Sequence, residues 1–167
     1  MRLGPLVGAA LFALAALQPV AAQSLGGDSD EPIEIEADVL EVRQNEGIAT
    51  FRGNVDAVQG DMTLTSDVLD VFYAGEGDGE GRIQRIVATG NVVVTSPREI
   101  ARGQAGIYDL ERRTIVLTGD VVLTREGNVL RGSRLEVDLA SGVSRLLPAR
   151  DGGRVRALFL TQGEGGS

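Results

Sequence analysis

Apolar and polar residues alternate along most of the chain between Ile33 and Leu160. Segments such as IEIEA, NVVVT and TIVLTGDVVLT are rich in β-branched residues, and short stretches of Gly, Asn, Asp and Pro separate them. Apolar residues at every second position lie on one face of a strand, so this pattern indicates strands with one buried face. Beyond the first 22 residues, no segment shows the 3.6-residue period and the capping residues of an amphipathic helix. The pattern therefore predicts an all-β fold.

The strands belong to a repeated unit. Ala37 and Ser66 begin two similar segments, ADVLEV and SDVLDV, that start 29 residues apart, and Gly90 and Gly119 lie at the same interval. A fixed period of this length is typical of one supersecondary unit whose copies stack and bury a continuous core. A Gly-Asn-Val or Gly-Asp-Val step recurs at Gly53, Gly90 and Gly119. We expect these glycines to form bulges or kinks that curve the sheet, rather than to contact a ligand.

The alternation also separates an apolar face from a polar one. Phe51, Val92 and Leu117 share one side of their strands, whereas Arg52 and Glu136 lie on the other side. This arrangement is typical of an antiparallel sheet with one solvated face. Taken alone, it favours a closed sandwich core over an open lipid-binding groove. The inward residues are mostly Val, Ile and Leu with few rings, however, and such a lining suits flexible aliphatic chains.

The first 22 residues are typical of a signal peptide. Arg2 precedes an apolar run from Leu6 to Leu17, which is too short to span a bilayer as a mature helix. Pro19 and the small residues that end at Ala22 then form a signal-peptidase site. We therefore expect cleavage after Ala22 and a periplasmic mature protein that begins at Gln23. A retained membrane anchor is the alternative.

The rest of the chain has the length of one domain. With 167 residues in all, it is long enough for a single substantial core and too short for two. A polar, glycine-rich leader is expected at residues 23–32, the folded domain at residues 33–161 and a flexible tail at residues 162–167.

The charge balance argues against nucleic acid as a partner. The chain has 16 basic residues, all of them Arg, against 24 acidic residues, for a formal net charge of −8. Binding to nucleic acid needs a basic surface that releases counterions, so no nucleic-acid partner is expected. The same balance disfavours adsorption to an anionic membrane surface.

No catalytic or metal site is predicted. The absence of His and Cys removes the most common general base, the most common transition-metal ligand and the thiolate nucleophile. Asp67 with Asp70, and Glu136 with Asp138, could form the acid pair of a glycosidase, but they lie on polar sides of repeated strands, where a solvated face is the simpler interpretation. The run GEGDGEG at residues 75–81 occurs once and matches no calcium loop. We expect a protein that is not an enzyme and has no cofactor.

The order of the segments resembles a known family. Pro-Ile-x-Ile-x-Ala-Asp, which begins at Pro32, is followed by Phe-x-Gly-Asn-Val, by Tyr-Asp-Leu and by Leu-Thr-Gly-Asp-Val. In this order the segments resemble the OstA-like domain of periplasmic lipopolysaccharide-transport proteins. The resemblance covers nearly all of the chain from Ile33 to Leu160 and has its weakest support at residues 75–82.

The resemblance implies an open, twisted β-jellyroll in which two antiparallel sheets form a V around an apolar interior. It changes the preference from a closed core to a groove that holds the acyl chains of lipid A. The predicted lipid-binding residues are inward and apolar: Ile33, Ile35, Phe51, Val55, Met62, Leu64, Leu69, Val71, Val92, Val94, Tyr108, Leu117, Val121, Leu123, Leu135 and Val137.

The resemblance also implies partners. Members of the family accept lipopolysaccharide from the inner-membrane export complex through LptC, pass it along a periplasmic bridge and deliver it to LptD in the outer membrane. The open edges of such a sheet, here a first strand at Ile33–Ala37 and a last strand at Arg154–Leu160, would join copies of the chain head to tail. Two alternatives remain: a structural protein of this fold that bridges partners without holding lipid, and an LptC-like membrane-anchored component.

Overall fold

The computed structural model describes residues 31–73, 81–148 and 153–160. The predicted signal peptide with its cleavage site, the leader up to residue 30 and the tail at residues 162–167 lie outside the described residues, as does most of the glycine-rich run. Within the described ranges, no helix is long and apolar enough to cross a membrane.

Ten strands, counted over the described residues, form one antiparallel hydrogen-bonded sheet, which confirms the prediction of an all-β fold. The strands are β1 Glu34–Glu36, β2 Val39–Arg43, β3 Ile48–Gln59, β4 Met62–Tyr73, β5 Ile83–Thr95, β6 Glu99–Asp109, β7 Thr114–Arg125, β8 Asn128–Asp138, β9 Val143–Leu147 and β10 Arg156–Leu158. A 3-10 turn at Gln44–Glu46 connects β2 to β3. Both terminal strands are shorter than the sequence pattern predicted.

Successive hairpins order the sheet, since each strand from β3 to β8 pairs with the next one along the chain. Two short strands lie at each edge of the sheet. β1 and β2 lie end to end along β3, where they pair with residues 56–58 and 48–52 respectively. β10 and β9 lie in the same way along β8, at residues 129–131 and 134–138. The described strands thus leave both edges of the sheet open, as expected for an open jellyroll.

Each of the long strands β3, β5 and β7 contains a kink. In β3, Gly53 and Asn54 adopt left-handed φ angles of 78° and 45°, and the pairing register with β4 shifts at this step. Residues 90–91 of β5 and 119–120 of β7 have the same positive φ angles and register shifts. Glycine adopts such angles without steric cost, and Asn and Asp tolerate them better than most residues. The prediction that these glycines kink the sheet is confirmed.

A polar side chain from the neighbouring segment packs against each kink. Asn54 Nδ2 donates a hydrogen bond to Asp38 Oδ2 at 2.8 Å, and Asn91 Nδ2 donates one to Asp67 Oδ2 at 2.9 Å. Gln104 lies beside the third kink instead of an aspartate. Hydrogen bonds to an ionised carboxylate are stronger than neutral ones, so each aspartate ties a kink to the adjacent part of the sheet.

The kinks bend the sheet until its two halves face each other. Ile86 and Ala88 precede the kink of β5 and Val92 and Val94 follow it, yet all four line the same interior cavity. The two sheets implied by the resemblance are therefore the two halves of one sheet, because the long strands run through both.

Gly90→Ala should destabilise the protein for two reasons. The alanine would have to keep the left-handed φ of 80°, and its Cβ would overlap the Asp67 carboxylate. We expect the free energy of unfolding, measured by urea denaturation, to fall by about 1–3 kcal/mol. Gly106→Ala is the matched control, since its Cβ would meet Val92 Cγ1 at 3.4 Å, an ordinary contact. That variant should lose less than about 1 kcal/mol. Equal losses in the two variants would contradict the assigned role of the kink.

Candidate functional site

The inward side chains of the strands form one continuous apolar interior, and all sixteen residues predicted to bind lipid belong to it. Four of them, Ile33, Ile35, Phe51 and Leu64, are partly buried and pack against the others. The buried ones are Val55, Met62, Leu69, Val71, Val92, Val94, Tyr108, Leu117, Val121, Leu123, Leu135 and Val137. The parity of the alternation therefore identified which side chains share this interior.

Five buried apolar residues of the interior are missing from the predicted set: Ala57, Ile86, Ala88, Ala101 and Ile115. The signal that could have found them is the same parity. Ile86 and Ala88 precede the β5 kink at even positions, like Val92 and Val94 after it, because the two-residue kink preserves the alternation. Ile115 lies two residues before Leu117 on the same face of β7.

Little free space remains within this interior. Two apolar cavities lie between the halves of the sheet, each with a volume of about 30 Å³. An apolar cavity of about 150 Å³ is known to accept a molecule as small as benzene. An acyl chain, which is larger than benzene, can therefore lie in this interior only after the two halves separate.

Four side chains line both cavities and form what we call the partition: Met62, Leu64, Ile86 and Tyr108. Met62 and Leu64 lie on β4 before its register shift, whereas Ile86 and Tyr108 lie in the opposite half of the sheet. The partition thus consists of side chains from both halves of the sheet. Met62 gives it an unbranched, flexible side chain that adapts readily to a change in the space around it.

Tyr108 adds a polar group to this apolar contact. It lies one residue before the end of β6, opposite Ile86 of β5 and Ile115 of β7, and only 8% of its surface is exposed. Burial raises the pKa of the Tyr108 phenol, and the positive charge of Arg113 acts against that rise. The phenol is therefore neutral at physiological pH and can donate a hydrogen bond.

The carboxylates of β8 that could have formed an acid pair serve the structure of the outer face. Glu136 Oε1 accepts a hydrogen bond from Arg134 Nε at 2.6 Å. Asp138 accepts hydrogen bonds from the backbone N–H groups of Ser141 and Ala140 at 2.9 Å each, and the bond from Ser141 in particular holds the pKa of Asp138 below its usual value. The two hydrogen bonds to Asp138 anchor the turn after β8.

The second acid pair, Asp67 with Asp70, is arranged in the same way. Asp67 accepts the hydrogen bond of the β5 kink, and Asp70 accepts one from Thr50 Oγ1 at 2.6 Å. No group of three or more His, Cys, Asp or Glu side chains in the described part of the chain is placed to hold a metal ion. The described interior consequently offers apolar side chains and one phenol group, that of Tyr108.

Both edges of the sheet carry exposed apolar side chains. On β2, Val39 and Leu40 are 57% and 54% exposed. At the opposite edge, Leu158, Phe159 and Leu160 are 62%, 64% and 66% exposed. The exposure of Leu158 and Leu160 shows that these leucines do not cover the end of the core. Exposed apolar groups on strands with one unpaired edge are typical of a surface that pairs with another chain.

Comparison with known proteins points to lipopolysaccharide transport. The family model described as "LptA/(LptD N-terminal domain) LPS transport protein" matches residues 34–143. An uncharacterized protein of Rhizobium meliloti is 40% identical over 117 residues, which are 66% of this chain and 63% of that protein. The lipopolysaccharide export system protein LptH of Pseudomonas aeruginosa is 35% identical over 66 residues, 40% of this chain and 38% of LptH. The match thus spans less than two thirds of either relative.

The fold is similar to that of a solved structure. The crystal structure of LptH, the LptA-homologous periplasmic component of the lipopolysaccharide transport device of Pseudomonas aeruginosa, superposes with a TM-score of 0.69 at 20% identity. The match covers 80% of this chain and 99% of the LptH chain. At this level of identity the likeness concerns the fold, which is the open jellyroll expected from the sequence.

Met62→Ala should open the partition and join the two cavities. We expect it to lower the free energy of unfolding by about 2–5 kcal/mol. We also expect benzene to raise the melting temperature of this variant, because the volume left by the Met62 side chain adds to that of the two apolar cavities. Met62→Leu is the matched control, since it keeps the side-chain volume and should leave the cavities separate. Benzene should stabilise neither this control nor the unmodified protein. Equal stabilisation of all three would show that Met62 does not separate the cavities.

Proposed function

The chain belongs to the LptA/(LptD N-terminal domain) family of lipopolysaccharide transport proteins, and from this premise we propose that it carries lipopolysaccharide across the periplasm with the acyl chains of lipid A between the two halves of its sheet. The observation that carries the proposal is the continuous apolar interior, which lies within a sheet whose described edges are open. The transport is non-covalent, and the protein is not an enzyme.

The free energy needed to separate the two halves favours a ligand with long chains. Separating the two halves exposes apolar side chains, which costs free energy in proportion to their area. Each methylene group of a ligand that leaves water returns about 0.8 kcal/mol. A whole acyl chain can therefore offset the separation where a small apolar molecule cannot. The two halves would separate when an acyl chain binds and would stay packed together in its absence.

The outer face fits a cargo whose head group stays in water. The chain has a net charge of −8, and its outer face includes Glu136 and Asp138. Phosphorylated sugars are anionic, so this face would repel them. The head group of lipopolysaccharide would then extend from the open side of the interior, and only the acyl chains would be buried.

The cellular setting follows from the same proposal. We place the mature protein in the periplasm, after cleavage behind Ala22, between LptC of the inner-membrane export complex and LptD of the outer membrane. N-terminal sequencing of the exported protein should begin at Gln23. An intact leader would favour the alternative of an LptC-like anchored component. A bridging protein of this fold that holds no lipid is the other alternative.

Photo-crosslinkers placed in cells at inward positions should capture lipopolysaccharide, detected by immunoblot, whereas those at outward positions should not. Three neighbouring pairs serve as inward position and matched control: Phe51 with Arg52, Tyr108 with Asp109, and Val137 with Glu136; Val92 and Leu117 are further inward positions. The members of each pair project to opposite faces of one strand. Equal capture at both members would contradict the buried location of the acyl chains, and no capture at any position would favour the bridge without lipid.

The bridge itself would consist of copies joined head to tail. The exposed apolar side chains on β2 lie at one edge of the sheet, and those that follow β8 lie at the other. Contact between these two different edges is heterologous, so it extends into a filament instead of closing as a dimer. Main-chain pairing between open edges would supply the hydrogen bonds of the contact.

Leu40→Asp and Leu158→Asp should each prevent oligomers, because each places a charge in one of the two edges. An equal mixture of the two variants should form a heterodimer and no larger species in sedimentation velocity, since each variant retains one intact edge. Ile107→Asp, which replaces an apolar residue on β6 that is 43% exposed and distant in the sheet order from both edges, should leave oligomers unchanged. A mixture that stays monomeric would contradict the head-to-tail contact.

A further inference from the structure

Tyr108 is the polar exception in the apolar interior. It lines both cavities, and among the described residues that line the first cavity it has the one polar side-chain group. The second cavity also includes Gln59, but the Gln59 side-chain amide donates a hydrogen bond to the Glu31 carbonyl oxygen at 2.8 Å. Tyr108 therefore supplies the interior with a hydrogen-bond donor of its own.

The Tyr108 hydroxyl makes no hydrogen bond with any described residue. No fully buried polar side-chain atom in the described ranges lacks a partner, so the phenol oxygen must keep some accessible surface. The hydroxyl is therefore a donor that no described residue engages, and it lies at the boundary of an apolar interior, where an incoming group can reach it.

The position of Tyr108 restricts what the acceptor can be. Its ring is part of the partition, at the boundary of the two cavities, and it lies next to the last residue of β6, close to the turn that contains Arg113. A chain that fills both cavities presents only methylene groups along its length. The polar atom nearest to the chain is the carbonyl oxygen of the ester or amide that attaches it to a sugar. A phosphate would be a poorer acceptor here, because the removal of a full charge from water costs far more than that of a carbonyl.

We propose that the Tyr108 hydroxyl donates a hydrogen bond to the carbonyl oxygen of an acyl ester or amide whose hydrocarbon chain lies in the interior. This inference rests on the proposed lipid-carrier function and adds a specificity to it. Tyr108 is a positioning residue that fixes how deep the chain lies, and it distinguishes acylated sugars from sugars that carry a plain alkyl chain. The apolar lining alone cannot make this distinction, since both kinds of chain bury the same methylene groups.

The test compares two probes that differ in the carbonyl group: sucrose monododecanoate, which has an ester, and dodecyl maltoside, which has an ether. Both carry a twelve-carbon chain on a disaccharide head group, and both are used below their micelle concentrations in calorimetric titrations of the full mature chain. Tyr108→Phe should weaken binding of the ester about threefold to tenfold, the effect of one neutral hydrogen bond. Binding of the ether should stay within about twofold, because the ring and its contacts are kept.

Tyr73→Phe is the matched control. Tyr73 is the other tyrosine of the chain, at the end of β4, and it lines neither cavity. This variant should bind both probes as the unmodified protein does. The melting temperature of the empty protein gives a second readout: Tyr108→Phe should be as stable as the unmodified protein or more so, whereas loss of an internal hydrogen bond would lower the melting temperature.

The outcomes separate this inference from the carrier function. Equal losses for the ester and the ether, no loss for either, or no binding of either probe to the unmodified protein would overturn the role of Tyr108. If inward crosslinkers still capture lipopolysaccharide in those cases, the carrier function stands without it. If the unmodified protein binds neither probe and inward crosslinkers capture nothing, the carrier function fails as well.

Discussion

A sheet with one apolar face must bury that face against something, and in this protein the face is buried against the other half of the same sheet. This is possible because β3, β5 and β7 each bend at a Gly-Asn or Gly-Asp step with left-handed backbone angles. Asp38 and Asp67 hold two of these steps by hydrogen bonds to the kink asparagines. The apolar interior depends on this row of kinks, since straight strands would leave the apolar face in water.

The same side chains stabilise the empty protein and form the proposed lipid site. The two halves face each other, with Met62 and Tyr108 lining both cavities between them, and this arrangement keeps apolar surface out of water when no ligand is bound. A protein that exported its cargo through a permanently open apolar groove would expose a surface prone to aggregation. An interior with little free space avoids that exposure. In the proposed function, an acyl chain would have to supply the free energy that separates the halves.

The edges and the interior of the sheet both contain apolar side chains, but those at the edges are exposed. Leu40 and Leu158 are exposed on short strands at opposite sides of the sheet, whereas Leu69 and Leu117, on long strands, are buried. What distinguishes them is the pairing of their strands: the long strands from β4 to β7 are paired on both sides within the described structure, whereas β2 and β10 are paired on one. The proposed contact between molecules and the proposed contact with lipid would therefore use separate surfaces.

The two-residue alternation determined by itself which side chains face inward, because successive side chains of a strand point to opposite faces whatever the strands pair with. It therefore identified all sixteen predicted residues of the interior, and the glycines of the repeat located the kinks. Only the tertiary structure decided that the two halves face each other, that Met62 and Tyr108 line the same two cavities, and that the Tyr108 hydroxyl is left without a partner among the described residues. These properties depend on the angle at which the kinks bend the sheet and on packing between strands distant in the sequence, and neither is encoded in the local pattern of any one strand.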